Sequence, residues 1–455
     1  MARMLNVVEP APAPTPDGAC CAACAAQPPL PTTARPPIRR DDDRRITFGG
    51  LTAAAAMLGL AATTSAYAFA MGQGVWLSLH LALAAAAGTA VASVMPFFTS
   101  ALARVAPARP FARIAAIALV AGGALTVAGG VAGGVPALAV AGGTAYLSGM
   151  LLTAANAFLP LRSSLGLGLR AVPMAYGAAL GCVLLGATLA TAMVAGWPPV
   201  VSDWAALKPA HAWLNVFGFL SVVIAATLIH LAPTVAAARI RPRRSGSMAL
   251  AGLVLGAPMV ALGFASGSDV LARAGALLEL IGAAALVAHG MGVQRDRGRW
   301  TSDSGWHRFA GLSLLSAPVW FLVAVAFATG PILWSGATPS SWSIIGLAAP
   351  LVVGWIAQVL VGSWTHLVPA IGPGDQTVHA RQRRRLGRAA TPRLVAWNGG
   401  MALVLVAGVI GNAGVGAVGA AVVASSLLVA IGLFAASIIL DPHVALEATL
   451  SPRRI

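Results

Sequence analysis

Charge is what this sequence has least of. Only 9% of its 455 residues are Asp, Glu, Lys or Arg, while 58% are hydrophobic. A soluble domain carries about 25% charged residues. A soluble core is therefore excluded, and a mean hydropathy of +0.83 fits an integral membrane protein. Lysine is almost missing: Lys208 is the only one, so 28 of the 29 basic residues are arginine. Cysteine is limited to four, with Cys20, Cys21 and Cys24 in a polar N-terminal stretch and Cys182 in an apolar run. That excludes a disulfide framework. No GxxxxGK[ST] phosphate loop occurs, and no Ser/His/Asp set is placed for hydrolysis. The arginines are not interleaved with stacking aromatics, which excludes nucleic acid as a partner despite the net charge of +16.

What the chain does have is a long internal period. Pro96, Pro233 and Pro369 lie 137 and 136 residues apart, each near the end of an apolar run and followed by arginine-rich sequence. Trp76 and Trp213 keep the same register, as do Arg104 and Arg241. Two of the prolines close the tetrapeptides His230-Leu-Ala-Pro233 and His366-Leu-Val-Pro369. A period this long in a membrane chain implies copies of a multi-helix unit.

Twelve apolar stretches are long enough for helices of about 20 residues across a bilayer. Their spans are 46–70, 76–98, 112–133, 136–160, 172–196, 211–236, 247–266, 273–293, 308–330, 342–369, 394–412 and 415–440. The fold class expected is all-α: a polytopic membrane protein of twelve transmembrane helices in three four-helix repeats. The membrane domain spans 46–440. Residues 1–45, Pro/Ala-rich and without the pattern of a secretory leader, read as a disordered tail, and 441–455 as a short C-terminal tail. Arginines fall in alternate loops, while the other loops hold only Lys208 and Arg273. The positive-inside rule then puts both termini in the cytoplasm and the chain in the cell membrane, with the lipid bilayer as its first partner.

Polar groups inside apolar runs are costly and need a reason. His80 lies in the outer part of the second stretch, and His211 opens the sixth, with Asn215 one turn below it. His230 and His366 stand three residues before their prolines, near the inner ends of the sixth and tenth stretches; His289 lies near the inner end of the eighth. His211 and His230 are 19 residues apart on one helix, ~28 Å of rise, so they cannot share a site. This leaves an outer pair, His80 with His211, and an inner set, His230, His366 and His289. Imidazoles ligate haem iron, copper or zinc. Two facing histidines suit a bis-imidazole haem, and three suit a compact copper or zinc site. The alternative is that these histidines sit at the membrane interface and bond to water or carbonyls. By the proline register, His80 and His211 differ by six residues, ~9 Å in depth, which points to a haem or a water network there rather than one ion. Glu279, the only carboxylate well inside an apolar run, is either a proton-relay group or a neutral carboxyl bonded to a neighbouring helix. Cys20, Cys21 and Cys24 offer thiolates to a soft metal, or are incidental to the tail. The Gly-Gly pairs 122/123, 133/134 and 142/143 read as helix-packing surfaces.

Three four-helix units with histidines on the second and sixth helices resemble subunit I of the haem–copper oxidase and nitric-oxide reductase superfamily. The nearer resemblance is to actinobacterial copper-oxidase-like polytopic proteins, some of which carry a cupredoxin region on the same chain. The stretches concerned are His80-Leu-Ala-Leu through Met95-Pro96-Phe97-Phe98, His211-Ala-Trp-Leu-Asn215-Val-Phe-Gly218-Phe, and His230-Leu-Ala-Pro233-Thr234. The resemblance implies an oxidoreductase component that holds haem or copper and exchanges electrons with a cupredoxin or cytochrome partner. Its departures are specific. Residues 247–266 hold none of the copper-ligating histidines of the family, and residues 342–355 none of its tenth-helix pair. A complete oxygen-reducing centre is therefore not expected, and no catalytic residue is assigned. A transporter or sensor for a small solute or metal on the same scaffold is the alternative.

Overall fold

The computed structural model describes residues 41–71, 74–163, 171–300, 303–338 and 347–439. The tail cysteines and most of both terminal segments fall outside these. Among the described residues twelve helices are long and apolar enough to cross a membrane: α1 (Asp41–Ala68), α2 (Trp76–Leu102), α3 (Pro110–Ala132), α4 (Pro136–Arg162), α5 (Ala171–Val194), α6 (Trp204–Val235), α7 (Arg244–Ser266), α8 (Asp269–Arg295), α9 (Ser304–Ser335), α10 (Ala348–Ile371), α11 (Ala390–Ile410) and α12 (Ala413–Ile439). The chain is a polytopic all-α membrane protein.

Several helix boundaries shift by a few residues from the sequence expectation, and two of the shifts matter. The first helix starts at Asp41, inside the segment read as tail. Asp41, Asp42 and Asp43 fill its first turn, where the helix dipole favours negative charge. Asp43 is also buried against Arg113 of α3. The sixth helix starts at Trp204, so His211 lies inside it rather than at its mouth.

The repeat is visible in the packing. In each unit the third and fourth helices form a tight antiparallel hairpin: α3 with α4, α7 with α8, α11 with α12. Glycines make the close approach. A Cβ on Gly142 would lie 2.8 Å from the Gly123 carbonyl, and one on Gly275 2.8 Å from the Gly256 carbonyl. Gly400 and Gly419 face each other in the same way. With no hydrophobic drive between helices in lipid, such backbone contact supplies the dispersion energy of association.

The second helix of each unit goes to the centre. Burial of α2, α6 and α10 is 72, 78 and 83%, against 28–56% for the other nine. Each of the three also changes winding. They hold π-helical segments at Leu81–Ala87, Leu214–Ser221 and Ala348–Ala357. The α2 segment touches both of the others, and Trp355 Nε1 donates to Ser221 Oγ at 3.2 Å between α10 and α6. A π turn shifts the hydrogen-bond partner by one residue and marks functional sites more often than chance.

Each repeated proline lies in one of these helices, and each removes the bond to the carbonyl four residues back. In α10 the freed carbonyl, that of Thr365, is taken by Trp306 Nε1 from α9. Trp306→Phe keeps the ring but removes this donor, and should cost about 1–3 kcal/mol by leaving a buried carbonyl unpaired. Pro369→Ala restores an N–H for the same carbonyl. The double variant should therefore lose less stability than the two single losses summed, in unfolding of the purified protein. Strict additivity would refute the link.

Candidate functional site

The outer pair is held by main chain. His80 Nδ1 lies 2.9 Å from the Trp76 carbonyl one turn back, and the Trp76 ring stacks on the imidazole with centroids 4.0 Å apart. His211 Nδ1 lies 2.8 Å from the Gly186 carbonyl of α5. A carbonyl can only accept, so both histidines carry a proton on Nδ1, and in the neutral ring the lone pair is then on Nε2. Asn215 Nδ2 is 3.1 Å from His211 Nδ1. A protonated Nδ1 cannot accept, so the amide donates to the His211 carbonyl at 2.7 Å. Its side chain fills the space where a Cβ on Gly186 would stand. Asn215 thus locks the turn that carries His211.

The π segments that follow the two histidines in α2 and α6 are in contact. The π segment begins one residue after His80 in α2 and three residues after His211 in α6.

Below this pair the interior is filled by rings. Trp213 stacks on Phe217 at 4.5 Å, and Phe321 on Trp355 at 4.7 Å, with Phe217 and Phe321 6.5 Å apart. All four are fully buried. Trp213 Nε1 donates to Glu279 Oε1 at 3.4 Å, and Glu279 Oε2 is buried without a hydrogen bond. Glu279 fills the space above Gly256 of α7. The carboxyl is thus attached to a neighbouring helix, as the second of its two expected roles requires.

The inner set divides. His230 on α6 and His289 on α8 are both buried. All four ring nitrogens of these two buried residues are without a hydrogen-bond partner. Arg243 runs past Gly292 and pairs with Asp296, as does Arg241. Asp296, just beyond α8, has its carboxyl held below the ordinary range by the Arg243 hydrogen bond first, with Arg241 adding to it. His366 lies elsewhere, stacked on Trp306 at 4.9 Å and 10°. Trp306 meets His307 at 4.5 Å, His307 stacks on Trp300 at 5.5 Å, and the Arg297 guanidinium lies 4.6 Å over Trp300. The shared tetrapeptide of His230 and His366 puts them at one depth but in different surroundings. Among the described residues no group of three or more His, Cys, Asp or Glu side chains is placed to hold one metal ion.

Sequence reading missed the ladder of Trp300, Trp306 and His307. The signal was available: the Trp306-His307 pair opens α9 and Trp300 stands six residues before Trp306, beside the arginines. No protein-family model matches the chain, and no curated protein matches it.

Proposed function

We propose that this protein is a metal-binding, redox-linked component of the cell membrane, with His80 and His211 as imidazole ligands to copper. The observation that carries the reading is the pair of Nδ1–H groups committed to the Trp76 and Gly186 carbonyls. A ligating histidine is oriented in this way, with its second nitrogen bonded to a carbonyl or carboxylate. Two neutral imidazoles suit the low coordination number of Cu(I). When bound, copper supplies one-electron chemistry at that end of the bundle; the chain's own residues orient the ligands, and Asn215 keeps the His211 turn fixed. Haem fits less well. The α2 and α6 π segments are in contact, and Trp213, Phe217, Phe321 and Trp355 fill the space that a macrocycle would need.

The central placement of α2, α6 and α10 supports the likeness to haem–copper oxidase subunit I, without an oxygen-reducing centre. The arginine-rich ends of the helices face the cytoplasm by the positive-inside rule. A cupredoxin or cytochrome would then exchange electrons at the opposite, His80 end. The test is metal content and absorbance of the purified full chain after copper loading. About one copper per chain is expected, lost in His80→Ala and in His211→Ala, with Asn215→Ala weakening affinity roughly 10–100-fold. A Soret band would replace copper by haem, and a colourless, metal-free protein would sink the redox reading.

One observation favours a second reading, transport of a small cation. His211 and His230 lie in opposite halves of α6, and the interior helices carry both prolines and π turns. Copper uptake into proteoliposomes that depends on both His211 and His230 would support it.

A further inference from the structure

Two carboxyl groups are buried among the described residues, those of Asp43 and Glu279. Asp43 has a counter-charge, because Arg113 pairs with it. Glu279, in the apolar middle of α8 and 0% exposed, has only a neutral donor. That donor is the Trp213 indole N–H of α6, 3.4 Å from Oε1, and Oε2 has no hydrogen-bond partner. A neutral carboxyl seeks an acceptor for its O–H, and a carboxylate seeks further donors. The fold supplies neither to Oε2, so neither form of Glu279 is fixed by its neighbours. A buried polar atom left in this state costs stability and calls for a role.

The surroundings restrict what can bind. On one side is the backbone of α7: a Cβ on Gly256 would lie 2.7 Å from Glu279 Cγ and 2.9 Å from its main-chain nitrogen. On the other, Trp213 stacks on Phe217 at 4.5 Å and tilts against Phe264 at 6.3 Å, all three fully buried. A proton is the one ligand that needs no space there. Helix α8 packs against α6, α7 and α9. No other ionisable side chain on these helices is hydrogen-bonded to Glu279. Arg244 opens α7, and His307 and Arg308 stand near the start of α9. On α6, Lys208 and His211 precede Trp213, and His230 lies 17 residues beyond it. On α8, Arg273 is six residues from Glu279, ~9 Å of rise, and 3.8 Å from Asp269; His289 is ten residues away, ~15 Å, and Arg295 lies further still. Helix α5, which packs on α6, adds Tyr176, paired with Thr227 Oγ1 at 2.8 Å, and Cys182, whose Sγ lies against Gly218.

We propose that Glu279 is a reversible proton-binding site in the membrane interior, and that α6 reads its state through Trp213. Loss of the proton makes the Trp213 donation a charge-assisted hydrogen bond, which is shorter and stronger. Trp213 immediately precedes the π segment Leu214–Ser221. The proton therefore acts where the central helix changes its winding. The site needs no metal at His80 or His211.

The chain has only three glutamates, Glu9, Glu279 and Glu447. Carbon-13 placed at the glutamate carboxyl therefore gives three signals in NMR of the metal-free full chain in lipid nanodiscs. The signal missing from Glu279→Gln belongs to Glu279; if that variant does not fold, Glu279→Asp gives the same assignment, since aspartate carries no label. As pH is raised, this signal should move from the protonated to the ionised position in a single-proton transition. Trp213→Phe keeps a ring but removes the N–H, so the ionised form loses its donor. Glu279 should then hold its proton roughly 10–100-fold more tightly. A signal that stays at one position wherever the protein is folded would overturn the proton site. Equal proton affinity in the wild type and Trp213→Phe would overturn its link to α6.

Discussion

Arg113→Ala should lose about 3–5 kcal/mol of stability, because it leaves a buried carboxylate without its counter-charge. Asp43 on α1 and Arg113 on α3 have side chains only 2% and 1% exposed. The guanidinium also donates to Thr47 Oγ1 at 3.1 Å and to the Ser93 carbonyl of α2 at 2.7 Å. One side chain thus ties three helices together. Replacing both charges with apolar groups, as in Arg113→Met with Asp43→Leu, removes the desolvation penalty along with the attraction. That double variant should be markedly more stable than Arg113→Ala alone. The third unit offers a comparison. Arg393 is the fourth residue of α11, as Arg113 is of α3, and it is equally buried. Its partners are neutral: the Leu386 carbonyl at 2.7 Å and the face of Phe309 at 3.7 Å. Arg393→Ala should therefore cost less than Arg113→Ala, about 1–3 kcal/mol. Denaturant unfolding in detergent measures all three. An Arg113→Ala protein as stable as Arg393→Ala would show that Asp43 does not need its cation.

The large features of this fold were legible because they follow from solvent. Length, apolarity and alternating arginine give twelve helices, and the proline period picks out α2, α6 and α10. Those three are the most buried of the twelve helices. The finer geometry was hidden for local reasons. A π turn leaves no mark in composition, since Leu81–Ala87 is simply LALAAAA. Asp43 looked like part of a polar tail because its partner is 70 residues away. The surface helix Gln376–Leu386 was hidden under its arginines: only Val378, Gln382 and Leu386, at four-residue spacing, betray an inward face. The inner histidines were grouped by depth alone. Azimuth around the bundle, which separates His366 from His230, depends on packing that no period in the sequence records.

Packing of the hairpins yields the other large effect. Gly123→Leu should unfold the first unit or cost at least about 3 kcal/mol, at the upper end of overpacking penalties. A Cβ there would lie 2.8 Å from the Gly142 carbonyl and against the Tyr146 backbone, neither of which can swing aside as a side chain can. Its neighbour is the control. A Cβ on Gly122 meets nothing within 4 Å, so Gly122→Leu should be neutral or stabilising by up to about 1 kcal/mol, the helix-propensity gain over glycine. The third unit repeats the contrast: Gly399 faces open space, while Gly400 abuts the Gly419 carbonyl and Val423. Leucine at 400 should therefore behave like leucine at 123, and leucine at 399 like leucine at 122. The measurement is thermal unfolding of the four purified variants. If adjacent glycines respond alike, tolerance is set by helix propensity or lipid exposure, and close backbone contact is not what holds α3 to α4 or α11 to α12. If they split in both hairpins, each hairpin is joined along a seam one residue wide, and substitution one position away leaves it intact.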